Sequence, residues 1–119
     1  MVNQYNDKIK QYLKWMLEMT QNIQEYIWNV DYEQFANNKM MIDAVITPIT
    51  QIWELSSQIK KLEYEKFEID LPIKEMSSMR NFLVHSYHKI DKRILRDTIT
   101  ENIPKLQEKL VNIISSNKF

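Results

Sequence analysis

Glycine is absent from all 119 residues, where average usage of about 7% would supply about eight. Tight hairpins, dinucleotide-binding turns and phosphate-cradling loops lean on glycine for positive φ. Its absence argues against all three together. A helical bundle can manage without it if asparagine takes the left-handed caps. Cysteine is absent too, which removes disulfides, thiolate nucleophiles and cysteine-ligated zinc and fits a reducing compartment. No apolar run approaches the roughly 18 residues of a membrane span. The N-terminus, Met-Val-Asn-Gln-Tyr-Asn-Asp-Lys, is polar and carries no apolar h-region, so no signal peptide is expected. The expected location is cytoplasmic.

Net charge is also absent, with 16 basic and 16 acidic residues, but the charges are unevenly placed. Residues 80–96 hold Arg80, Lys89, Lys92, Arg93 and Arg96 against Asp91 alone. That window is +4, leaving −4 on the rest of the chain, and it contains all three arginines and both histidines. A basic window in a neutral protein reads as an anion or nucleic-acid contact, or equally as a solvated helix face. Lys89, Lys92, Arg93 and Arg96 are the candidate RNA-binding residues.

What is present in quantity is helical periodicity. Tyr5, Ile9, Tyr12, Met16, Met19, Ile23 and Ile27 recur every three or four residues, which predicts a first helix from about Asn6 to Trp28. Asp31-Tyr32-Glu33-Gln34-Phe35 reads as a short turn or helical start, and Asn37-Asn38 as a second cap. A second helix is expected from about Asn38 to Lys60. One of its stripes is Met41, Ala44, Val45, Ile52, Leu55 and Ile59; the other is Ile42, Ile46, Ile49 and Trp53. Such a helix lies either at the centre of a bundle or against another chain. Pro48 should kink it.

Residues 61–71 read as a charged loop. Asp70-Leu71-Pro72 opens a third helix to about Tyr87. Asp91 should cap a further helix to about Thr100, and Asn102 with Pro104 should restart or bend the chain into a last helix ending near Ser115. The fold class is all-α: a single domain over residues 1–119 built as a bundle of four to five helices.

Cleaving RNA without a metal requires removing a proton from the 2′-hydroxyl, supplying one to the leaving 5′-oxygen and stabilising the phosphorane. An imidazole can do either proton job, and a guanidinium is a permanent phosphate clamp. His85 and Arg80 are those types. Asn81 lies one turn before His85 and could orient the imidazole. Tyr87 lies about two turns beyond Arg80. Positions five apart on a helix differ by about 140°, so Arg80 and His85 converge only if Arg80 reaches around, the helix frays, or a second chain completes the site. A surface arginine and a capping or core histidine would give the same spacing. With two histidines and no paired carboxylate cluster, neither a metal site nor a cofactor is expected.

Met79-Arg80-Asn81-Phe82-Leu83-Val84-His85-Ser86-Tyr87, followed by Ile90-Asp91, resembles the HEPN domain signature. Its Arg-x4-His-x-Tyr form is similar to the HepT-like toxins of MNT–HEPN (type VII) toxin–antitoxin pairs. Asp43-Ala44-Val45-Ile46, Leu71-Pro72 and Ile103-Pro104-Lys105-Leu106 fall where that family has similar residues. Ile52-Trp53-Glu54-Leu55 departs from the Ile-Gly-Glu-Ala-like stretch common there. The resemblance implies a metal-independent endoribonuclease acting as a toxin, with Arg80 and His85 catalytic and Asn81 supporting. It also implies a homodimer with both motifs on one cleft, and AMP modification of Tyr87 by a nucleotidyltransferase antitoxin. The alternative is a non-catalytic HEPN module that docks with a nucleotidyltransferase or binds nucleotide or RNA.

Overall fold

The computed structural model describes residues 4–62 and 91–116. Helix α1 spans Gln4–Tyr26, α2 Tyr32–Ala36, α3 Lys39–Leu62, α4 Lys92–Asp97 and α5 Ile103–Ser115, with a π-helical turn at Thr98–Asn102 between the last two. The described residues contain helices and turns and no strand, as the all-α reading expects. The expected third helix (Leu71–Tyr87) lies outside the described residues, as do Arg80, Asn81, His85, Tyr87 and Lys89.

Helix α1 buries Ile9, Leu13, Met16, Thr20 and Ile23, while Tyr12, Met19 and Ile27 are half-buried beside them. The buried stripe is therefore rotated from the expected one, with Leu13 and Thr20 at its centre. Positions 12 and 13, or 19 and 20, fit one periodicity equally well. The choice is made by α1 lying against both α3 and α5. Burial of Thr20 is tolerated because its hydroxyl donates to the Leu17 carbonyl at 2.6 Å.

Asn29 then turns the chain with φ at 57°. Only a few side chains visit that left-handed region readily, and asparagine is one. This is the substitution for glycine that the composition called for.

Asp31 begins α2 with a reciprocal cap. Its carboxylate accepts from the Gln34 amide at 2.8 Å, and the Gln34 side chain accepts from the Asp31 amide at 3.0 Å. Asn38 caps α3 by accepting from the Met41 amide at 3.0 Å. Helix α3 continues unbroken through the buried Pro48 and past the expected Lys60 to Leu62, the last residue described in this segment. It buries residues from both stripes: Val45, Ile52 and Ile59 from one, Ile42, Ile46 and Ile49 from the other. Among the described elements α3 packs on α1 and α2; Ala44 of its first stripe is exposed, and Met41 and Leu55 are half-buried. Trp53 is half-buried against the same core.

The last two helices are joined without a break. Pro104 has no amide proton, and its ring opposes the carbonyl four residues back. The ladder widens instead: the Ile103 amide donates to the Thr98 carbonyl, five residues earlier. The expected stop at Thr100 is thus a π-turn. Leu95, Ile99, Ile103, Leu106 and Leu110 all face the core, and a 2.8 Å bond from Gln24 to Gln107 ties α1 to α5.

Candidate functional site

The basic window reaches the described structure at the start of α4. Asp91 sets that start: one carboxylate oxygen accepts from the amides of Arg93 at 2.9 Å and Ile94 at 3.2 Å. Four residues of chain span about 14 Å at most, so Asp91 is a short tether for whatever the motif does.

Three of the four candidate RNA-binding cations lie on α4, and each has a partner in the segment 30–36. The exposed Lys92 extends its ammonium to the Ala36 carbonyl at 2.8 Å. Ala36 ends α2, where carbonyls lack helical partners and the helix dipole is negative, so a lysine there caps the helix from outside. Arg93, also exposed, holds its guanidinium 4.8 Å from the centroid of the Tyr32 ring. Arg96 is half-buried; its Nη2 donates to the Val30 carbonyl, and its guanidinium carbon stands 5.7 Å from the Phe35 ring centroid. Its Nη1 is sealed from solvent, with no hydrogen-bond partner among the described residues.

The basic window is therefore not a uniform face. Lys92 and Arg93 keep exposed side chains that a phosphate can approach. Arg96 is turned inward against a carbonyl and a ring. The sequence held a signal for this: Arg96 is one turn before Ile99 and adjacent to Leu95, on the edge of the buried stripe. Its partners, Val30 and Phe35, are more than sixty residues away in sequence, and no periodicity points to them.

A concavity of about 650 Å³ lies between α1 and α3. Among the described residues, Tyr12, Trp15, Met19 and Leu55 form its apolar lining and Glu18 and Glu54 its charged one. The tyrosine and tryptophan rings sit 5.7 Å apart. Leu55 and Glu54 belong to the stretch that departs from the HEPN pattern. Among the described residues no group of three or more His, Asp or Glu is placed to hold a metal. No described helix is long and apolar enough to cross a membrane.

Comparison with known proteins adds a family to this geometry. The family model described as Ribonuclease HepT-like matches residues 16–113, a span that contains α3, α4, the π-turn and all four motif residues. A Methanocaldococcus jannaschii protein, named provisionally as an RNase, is 36% identical over 102 residues, covering 86% of this chain and 93% of that protein. A Thermococcus cleftensis protein, named with similar reserve as ribonuclease HepT, is 33% identical over 100 residues, covering 84% and 90%. A provisionally RNase-named protein of Caldanaerobacter subterraneus is 26% identical over 107 residues, covering 90% and 95%. No solved structure matches.

Proposed function

The chain belongs to the ribonuclease HepT-like family, and from that premise we propose that it is a metal-independent endoribonuclease whose catalytic groups are Arg80 and His85, supported by Asn81. The observation that carries this reading is the coincidence of two things. The family match spans residues 16–113, and inside it stands an intact Arg80-x4-His85-x-Tyr87. The RNase names of the relatives point to the same substrate.

The chemistry follows from the residue types. The neutral His85 imidazole takes the 2′-hydroxyl proton. The 2′-oxygen then bonds to phosphorus, and the bond to the 5′-oxygen breaks as that oxygen takes a proton relayed through water from the His85 imidazolium, which returns to its neutral form. The products are a 2′,3′-cyclic phosphate and a 5′-hydroxyl. Arg80 binds the non-bridging oxygens as their charge grows. Asn81 holds the imidazole in its reactive orientation. Lys89 and the exposed Lys92 and Arg93 attract the RNA backbone, a contribution that weakens as salt rises.

Regulation belongs to the same reading. A nucleotidyltransferase antitoxin transfers AMP from ATP to the Tyr87 phenol, releasing pyrophosphate. The ester adds bulk and a negative phosphate two residues from His85, which repels RNA and silences a cytoplasmic toxin. A homodimer with two motifs on one cleft would let Arg80 and His85 meet despite their 140° separation on an ideal helix. The apolar stripes of α3 are covered in large part within the chain, with Ala44 exposed and Met41, Trp53 and Leu55 half-buried.

The test is cleavage of a defined RNA by the purified protein in the presence of a chelator. Arg80→Ala should lower the rate by about 10²–10³ and His85→Ala by about 10²–10⁴, with unchanged circular dichroism. Equal activity in both variants, or activity lost with the chelator, would refute the assignment. RNA binding without any cleavage would favour the non-catalytic module. Mixing the two inactive variants tests the dimer: partial recovery of cleavage requires a site shared between chains.

A further inference from the structure

The three cations of α4 converge on α2 and the turn just before it, and the deepest of them is Arg96. Positions 92, 93 and 96 lie on one side of the helix. Their partners all lie within residues 30–36: Val30 and Phe35 for Arg96, Tyr32 for Arg93, Ala36 for Lys92. Helix α2 packs on α3 as well as on α4, and Phe35 is fully buried. The Asp31 capping box stiffens α2 from its other end. The result is a strut between the long α3 and the start of α4.

A guanidinium that grips a phosphate needs free donors facing solvent. Arg96 has one terminal nitrogen bonded to a backbone carbonyl and the other sealed, with no partner among the described residues. That arrangement suits a fastener and not an RNA contact. It is also directional. A lysine in its place has no planar group to lie on Phe35 while donating to Val30.

We propose that Arg96 is a positioning residue for the ribonuclease site, fixing α4 on α2 so that Asp91 holds the end of the motif segment in one place. The proposal rests on the ribonuclease reading for its kinetic consequence, but not for its structural one. It separates Arg96 from Lys92 and Arg93, whose exposed side chains stay available to RNA.

The chain has only two histidines, His85 and His88, so histidine-labelled protein gives two imidazole signals, assigned with His85→Gln. Arg96→Lys and Arg96→Met are compared with wild type, and with Ile59→Val as a control of modest melting loss near the far end of α3. Both Arg96 variants should move the His85 signal and its titration midpoint, while Ile59→Val leaves them in place. In cleavage assays kcat should fall tenfold or more in both variants, with KM within twofold and an unaltered dependence of KM on salt.

A rise in KM with a salt slope reduced by about one would make Arg96 a phosphate contact and overturn the proposal. Unmoved histidine signals with unchanged kcat would overturn it as well. Histidine signals that move in the Arg96 variants, with a wild-type protein that never cuts RNA, would support the tether and sink the ribonuclease reading alone.

Discussion

Along α1, α3 and α5 the sealed positions are almost all aliphatic: Ile9, Leu13, Met16 and Ile23 meet Val45, Ile49, Ile52 and Ile59 from one side and Ile103, Leu106 and Leu110 from another. Between α2 and α4 the fully buried apolar residues are only Phe35 and Leu95. The rest of that corner is made of cations on carbonyls and rings. Apolar burial scales with area and tolerates sliding and repacking. A charge-assisted hydrogen bond or a guanidinium over a ring is weaker in total but fixed in direction. The bundle core therefore supplies stability. The corner supplies geometry at the point where the chain emerges from the motif.

The sharpest way to break this contrast is to damage each region and read stability and catalysis together. Leu13→Ala removes a sealed side chain from the core, and its loss should cost about 2–5 kcal/mol. Denaturant unfolding gives the number. Turnover per folded molecule should stay near wild type, because none of the described directional contacts between α2 and α4 is touched. A cost under 0.5 kcal/mol would mean that the α1 face is not packed as described.

In the corner the balance should reverse. Asp31→Ala removes one half of the α2 capping box and leaves the Gln34 side chain without its reciprocal partner. The expected cost is about 1 kcal/mol. Amide exchange should accelerate in α2 and near Asp91, while the α1 and α5 amides keep their protection. Uniform acceleration across all helices would show that α2 is simply part of the core, and the comparison would fail.

What the sequence revealed divides along the same line. The long helices were legible because their burial repeats every three to four residues, and α5 buries Ile103, Leu106 and Leu110 as the pattern requires. The caps at Asp31, Asn38 and Asp91 were legible because a side-chain oxygen at a helix start has few other uses. The rotation of the α1 stripe was not legible, since which of two adjacent residues faces inward depends on two neighbouring helices. The join at residues 98–102 was half legible: Pro104 announced a disturbance, but whether a ladder breaks or widens depends on what holds both sides, here Leu95, Ile99 and Ile103 in one core. The inward turn of Arg96 could not be read at all from charge. A cation counts the same in a window whether it faces a phosphate or a carbonyl. The motif itself was legible only through family resemblance, because its residue types and spacing also occur on ordinary helices.

The smallest expected effect returns to the missing glycine. Asn29 holds a φ of 57° at the end of α1, where a Cβ costs about 1–2 kcal/mol for most residues and less for asparagine. Asn29→Gly removes that steric cost but gives the unfolded chain more freedom to lose. The two terms oppose, so the net change should stay within about 0.5 kcal/mol. Asn29→Ala has no such offset and should cost about 1 kcal/mol. Melting of the two variants side by side reads the difference directly. If alanine were as well tolerated as glycine, the left-handed turn would not be a requirement of this corner. The route from α1 into α2, and with it the register of Val30 beneath Arg96, would then have to be set by the α2–α4 contacts alone.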